Sequence, residues 1–314
     1  MDNIDKIISS ILEDDNEPKK YNVLFTPRRV NQRINNILRT LQQEHIEGDL
    51  DLSHIPITDL GNLKSITGDL DLRHTSITSL GSLKSVGGNL NLYDTPITNL
   101  GSLESVGGDL FLSNTRVTDL GSLKFVGGYL NLSYTDVTDL GSLESVSGSL
   151  DLWGASITSL GSLKSVGGYL NLYDTHITNL GSLELVGIWL DLRNTPITSL
   201  GSLKSVDGYL DLQGTPITNL GSLKSVGSWL DLRNTPITSL GSLKSVDGDL
   251  YLSGTPITDL GSLERVGGEL DLRNTPITNL GSLQSVGNII INRNSKLDID
   301  SLPKRLKNKV RFKY

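Results

Sequence analysis

The sequence predicts a repeat solenoid: stacked 20-residue coils forming a parallel β-sheet of about 14 strands, with short 3₁₀ or irregular turns opposite and an N-terminal helical cap. Three observations predict it. A period of 20 runs from Leu50 to Asn288 without an insertion, each coil opens on the alternation Leu-x-Leu, and the apolar residues that follow are spaced by three.

A typical coil, residues 90–109, reads LNLYDTPITNLGSLESVGGD. Leu90 and Leu92 alternate as a strand does, so both point to one face. The spacing Leu100, Leu103, Val106 suits a 3₁₀-like or extended turn better than a helix of 3.6 residues per turn. Asp, Ser or Asn precedes the Leu100 position in every coil, where its side chain can cap the turn. Small residues, mostly a glycine pair such as Gly107 and Gly108, then release the chain into the next strand. One coil cannot bury six apolar side chains against itself, but a stack can. Between strand and Ile97 column lies a Thr (Thr75, Thr95, Thr115 and onward), replaced by Ile55 and Ala155 in two coils. Stacked at one height, these hydroxyls can bond backbone and one another as a ladder.

The string Leu90-x-Leu92-x-x-Thr95-x-Ile97-x-x-Leu100 resembles the core of the leucine-rich repeat superfamily, L-x-x-L-x-L-x-x-N-x-L, with Thr in place of the ladder Asn and Gly in place of the first Leu. Twenty residues is the short repeat length of bacterial and viral members. The resemblance spans about 240 residues. It implies a leucine-rich-repeat-type solenoid serving as a binding scaffold and carries no catalytic residue across.

The organisation has three parts: a helical arm and cap over 1–48, the repeats over 49–292, and a degenerate terminal repeat over 293–314. Thr26-Pro27 reads as a helix start, and Val30, Ile34, Ile37, Leu38 and Leu41 recur at helical spacing, which places a capping helix over 27–43. Ile4, Ile7, Ile8, Ile11 and Leu12 define a second amphipathic helix over 3–14, either a further cap or a docking arm. Ile46 and Gly48 fall in register with the repeat. Val310 and Phe312 fall 20 residues after Ile290 and Asn292, which predicts a last strand whose Lys309, Arg311 and Lys313 discourage edge pairing.

Composition narrows the function. The 314 residues are 36% hydrophobic and 5% aromatic and contain no cysteine, so no disulfide, thiolate metal site or cysteine nucleophile is available. This composition fits a reducing compartment such as the cytoplasm of a cell or infected host. No signal peptide or membrane span is expected. The net charge of −7 is uneven: residues 49–292 hold 13 basic and 25 acidic side chains, and residues 293–314 hold 8 basic and 2 acidic. An acidic body disfavours nucleic acid along its length.

The residues that flank and separate the Leu pair form three columns expected to face outward. Of 12 aromatic residues in 49–292, ten lie in these columns, all three tryptophans among them. The first column carries Tyr129, Tyr169, Trp189, Tyr209 and Trp229. The middle column is an Asp/Asn row, expected to be evenly spaced and exposed. The third mixes Trp153 and Tyr173 with Arg193 and Arg233. Trp, Tyr and Arg on an open sheet are the residues of interface hot spots, so these nine are the candidate partner-binding residues. Asp and Arg columns would also neutralise each other across rungs.

No catalytic arrangement emerges: G-x-S-x-G is absent, and the glycine pairs lack the lysine and strand-turn-helix context of a phosphate loop. His54, His74 and Asp94 align in one column but read as exposed turn residues rather than metal ligands. No cofactor is expected. The reading that follows is a non-enzymatic scaffold for a protein partner. The alternatives are a glycan-binding attachment protein, a structural component of a virus particle, and ice binding through the repeated Thr, the last weakened because T-x-x-T turns one Thr inward.

Overall fold

The computed structural model describes residues 39–313. Among these residues it is a parallel β-solenoid of about thirteen turns and 25 strands, with almost no helix. The expected capping helix over 27–43 lies almost wholly outside the described residues, as does the helix over 3–14. The chain forms two compact units, one made of the chain up to Asn131 together with Gly141–Leu143, the other of Leu132–Leu140 and the chain from Glu144 onward.

Each unit is built in the same way. The six apolar columns are its core: Leu90, Leu92, Ile97, Leu100, Leu103 and Val106 in the first unit, and Leu190, Leu192, Ile197, Leu200, Leu203 and Val206 in the second, are all essentially without solvent contact. Full burial of such side chains contributes ~1.5–3 kcal/mol each. That thin core, renewed every 20 residues, explains how 36% hydrophobic content suffices.

The strand column expected at Leu-x-Leu is present, as in Leu90–Asn91 against Leu110–Phe111 and Leu190 against Leu210. A second column, missed in the sequence, stands at the Ser-Val step: Ser85–Val86 pairs Ser105–Val106, and Ser205–Val206 pairs Ser225–Val226. Two parallel strands per coil therefore replace one strand and a 3₁₀ turn. The cause is the spacing itself: the Ser-Val backbone runs extended, and stacking at the 20-residue step gives its N–H and C=O groups partners in neighbouring coils.

The corners are set by residue type. The glycine after each Leu100-type residue is left-handed, as at Gly101 (φ 57°) and Gly201 (φ 58°). The capping expected of the residue before that Leu is realised two positions ahead: the Gly201 N–H donates to Ser199 Oγ at 3.1 Å and the Gly221 N–H to Asn219 Oδ1 at 3.0 Å. Buried Thr hydroxyls form no ladder with one another. Each donates to the carbonyl three residues earlier in its own coil, as Thr195 does to Leu192 at 2.6 Å. In the second unit this corner alternates, with isolated parallel bridges at Asp139–Ser159, Asn179–Ser199, Asn219–Ser239 and Asp259–Asn279. The unit thus repeats over two coils as well as one.

The register at the C-terminus departs from the expected 20. Leu270 pairs with Ile289 and Ile289 with Val310. One residue is missing where Gly287 stands opposite the Gly267–Gly268 pair, so Ile289 and Ile291 fill the two Leu positions. The helical turn Lys304–Lys307 buries Leu306 before the last strand, Val310–Phe312.

Candidate partner-binding face

In the second unit the first column brings Tyr169, Trp189 and Tyr209 into direct register on three neighbouring strands. These strands, Tyr169–Asn171, Trp189–Asp191 and Tyr209–Asp211, are each three residues long where most others have two. A change of hydrogen-bond partner accompanies the extension between Trp189 and Tyr209. Where the first column holds Asp or Ser, its side chain accepts the next coil's N–H, as Asp249 Oδ1 does from Glu269 at 2.7 Å and Ser149 Oγ from Tyr169 at 3.0 Å. The Trp189 ring does not accept it in this way, and there the backbone takes over: the Tyr209 N–H donates to the Ile188 carbonyl at 2.8 Å.

The rings then pack in pairs. Tyr169 meets Trp189 edge-on at 6.2 Å between centroids, and Tyr209 meets Trp229 at 5.1 Å. In the third column Trp153 lies 5.2 Å from Tyr134 and 6.3 Å from Tyr173. Trp153, Tyr169 and Tyr209 are exposed, and Trp189, Trp229 and Tyr173 half-buried. Trp189 Nε1 is buried without a hydrogen-bond partner. Tyr129 belongs to the first unit, where it contacts Phe111 at 6.4 Å.

The middle column corrects the expectation of an exposed carboxylate row. Asp191, Asp211 and Asp231 are buried, with 3–6% of their surface exposed. Each Oδ1 accepts the N–H two residues ahead, from Arg193 at 3.1 Å, Gln213 at 3.1 Å and Arg233 at 2.9 Å, closing the turn at the strand's end. Arginine then covers the carboxylate. Arg193 donates Nε to Asp191 Oδ1 at 3.0 Å and Nη2 to Oδ2 at 2.5 Å, and Arg233 forks onto Asp231 in the same way. The Asp–Arg pairing is thus mainly within a coil, with one cross-rung contact, Arg193 Nε to Asp211 Oδ2 at 3.2 Å. Both guanidiniums lie over tyrosine rings, Arg193 5.5 Å from the Tyr173 centroid and Arg233 5.4 Å from that of Tyr251. The Asp191 hydrogen bond raises the Arg193 pKa, and Asp231 does the same for Arg233.

A shallow depression of about 400 Å³ opens on this face. Three expected residues line it: Arg193, Trp229 and Arg233. Asp211, Gln213, Asp231 and Tyr251 join them and were missed. Burial pushes the Tyr251 hydroxyl up to about 12, reinforced by its 2.8 Å hydrogen bond to Asp249. A 40-residue period in Trp189/Trp229 and Arg193/Arg233/Arg273 was the legible signal that neighbouring coils differ.

Elsewhere the columns are structural. His54, His74 and Asp94 sit at left-handed turn positions (φ 59°, 55° and 56°), a conformation in which His, Asp and Asn are enriched. The two imidazoles stack at 4.6 Å, and His74 Nδ1 lies 2.9 Å from Asp94 Oδ2. Among the described residues no group of three His, Asp or Glu side chains is placed to hold a metal ion, and no helix is long and apolar enough to cross a membrane. Lys164 and Lys204, on the Ser-Val side, pair with Glu144 and Glu184 at 3.1 and 2.5 Å and are more than half exposed.

Fold and face together define a parallel β-solenoid with 20-residue coils and an aromatic–arginine strand face. A family model described as Toastrack DUF4097 matches residues 29–160, so over that span the chain is similar to this family rather than to a leucine-rich-repeat model. No curated protein matches the chain. Among solved structures it is similar to YopM from Yersinia enterocolitica WA-314, with 12% identity over the whole of both chains and a TM-score of 0.29.

Proposed function

We propose that the protein is a non-enzymatic binding scaffold of leucine-rich-repeat type that holds a protein partner on the strand face of its second unit. The observation that carries this reading is the gathering of Trp153, Tyr173, Trp189, Tyr209 and Trp229 beside Arg193 and Arg233. Their carboxylate partners lie beneath them, so indole and guanidinium surfaces are what an approaching molecule meets. Large side chains already held by neighbours lose little entropy on binding, which is how a few such residues dominate an interface. The test is differential capture. Proteins retained by the immobilised chain should be lost with Trp189→Ala/Trp229→Ala and kept with Lys164→Ala/Lys204→Ala; the opposite pattern would place binding elsewhere.

A glycan is the second reading, favoured by the depression in which the Trp229 indole adjoins Gln213, Asp211 and Arg233. Saturable, Trp229-dependent binding on a glycan array would support it over a protein partner.

A further inference from the structure

The middle and third columns of the strand face follow a rule with one revealing exception. Where a buried Asp occupies the middle column, an Arg stands two residues later and forks onto it: Asp191 with Arg193, Asp231 with Arg233, Asp271 with Arg273. Where the third column is Ser, Tyr or Trp, the middle residue is neutral (Asn91, Phe111, Asn131, Asn171, Tyr251), or an Asp that is not buried (Asp51, Asp151). Asp211 breaks the rule. It is buried, yet Gln213 stands where its arginine would be. Its coil gives it only the Gln213 N–H, and the cation in ion-pair contact with it is the Arg193 Nε at 3.2 Å, a group already committed to Asp191, with Arg233 acting on it at longer range.

The depression on this face lies at Gln213, where the arginine is absent. Its lining includes the buried Asp211 and Asp231, Gln213 on the coil between those of Arg193 and Arg233, and the aromatic residues Trp229 and Tyr251. Three carboxylates, Asp191, Asp211 and Asp231, face two guanidiniums, and Asp249 stands behind Tyr251. The site is therefore short of one positive charge, within a body that is itself strongly acidic. Burial raises the Asp211 carboxyl above its usual range, and Asp231 and Asp191 add to this more than Arg193 offsets.

We infer that the depression seats an arginine side chain of the protein partner, which enters above Gln213, pairs with Asp211 and lies against the Trp229 indole. The geometry repeats in trans what the neighbouring coils do in cis, where Arg193 and Arg233 each join a buried carboxylate below to an aromatic ring alongside. A charge-assisted pair of this kind with a cation–π contact accounts for selectivity against neutral isosteres. The inference rests on the partner-binding reading above, but its test needs no partner.

The probe is the blocked tripeptide acetyl-Gly-Arg-Gly-amide, titrated into the full chain at low salt while tryptophan emission is followed. The expected result is a saturable change, about ten-fold weaker for the citrulline counterpart, which keeps the shape and loses the charge. The change should vanish in Trp229→Phe and Asp211→Asn. It should also vanish in Gln213→Arg, whose own guanidinium fills the site, with the fold of each variant checked by circular dichroism. Equal binding of arginine and citrulline peptides, tighter binding of the glutamate counterpart, or no saturable change at all would overturn the inference. None of these results bears on whether Trp189 and the other aromatic residues of the face anchor the partner, so the two readings fail separately.

Discussion

Leu190 has no solvent contact and packs between Leu170 and Leu210 in neighbouring coils. Replacing it by Ala should destabilise its surroundings by about 2–5 kcal/mol, since stacked backbones held by parallel ladders cannot collapse into the void. Chemical denaturation indistinguishable from the parent would contradict this. At Asp211 the sign of a pH effect can be worked out. Its folded-state carboxyl is raised by burial above the unfolded value. The stability it contributes is therefore full below the unfolded pKa and lost as pH rises through the folded one. Asp211→Asn, which never ionises, should melt higher than the parent at neutral pH, and the gap should close on acidification below ~4. A gap that widens on acidification would reverse the assignment. Six core columns, the capping side chains and the inward Thr were legible at this scale because each follows from side-chain type at a fixed period. The burial of Asp191, Asp211 and Asp231 was not, because it depends on which residues the adjoining coils lay over them.

At the scale of the strand and its corner, the two faces of a coil differ in how their charges are held. Lys164–Glu144 and Lys204–Glu184 are solvated pairs. Removing either lysine should change stability by less than about 1 kcal/mol, and added salt should erase the difference; a larger, salt-resistant loss in thermal melts would count against a solvated pair. Arg193 and Arg233 are anchored on buried carboxylates and over tyrosine rings, so their removal should leave a larger, salt-resistant defect. The Leu-x-Leu strand was readable from its alternation of two. The Ser-Val strand was not: two residues show no period, and only the stacking of coils supplies their hydrogen-bond partners. The C-terminal step was misread for a related reason. Counting in twenties cannot detect a single missing residue at Gly287 when Ile289, Ile290 and Ile291 are all apolar.

Within a unit the backbone ladders join each coil to its neighbours, so stability is mainly a sum of coil and interface contributions. The Leu190→Ala defect should therefore appear in hydrogen exchange as lost protection around residues 170–211, with the coils near Leu270 unchanged; uniform loss across the unit would show longer-range coupling than the stack implies. The proposed binding face belongs to this scale too, because the aromatic–arginine columns exist only where several coils align. The measurement that bears most directly on it is the affinity of a captured partner for three forms of the chain: parent, Trp189→Ala/Trp229→Ala and Lys164→Ala/Lys204→Ala. Truncating anchors of this kind typically costs ~2 kcal/mol or more each, so the tryptophan pair should weaken binding ~10²-fold or more while the fold persists. The lysine pair should change it little. An affinity that ignores both tryptophans and falls with the lysines would contradict the assignment of the binding face.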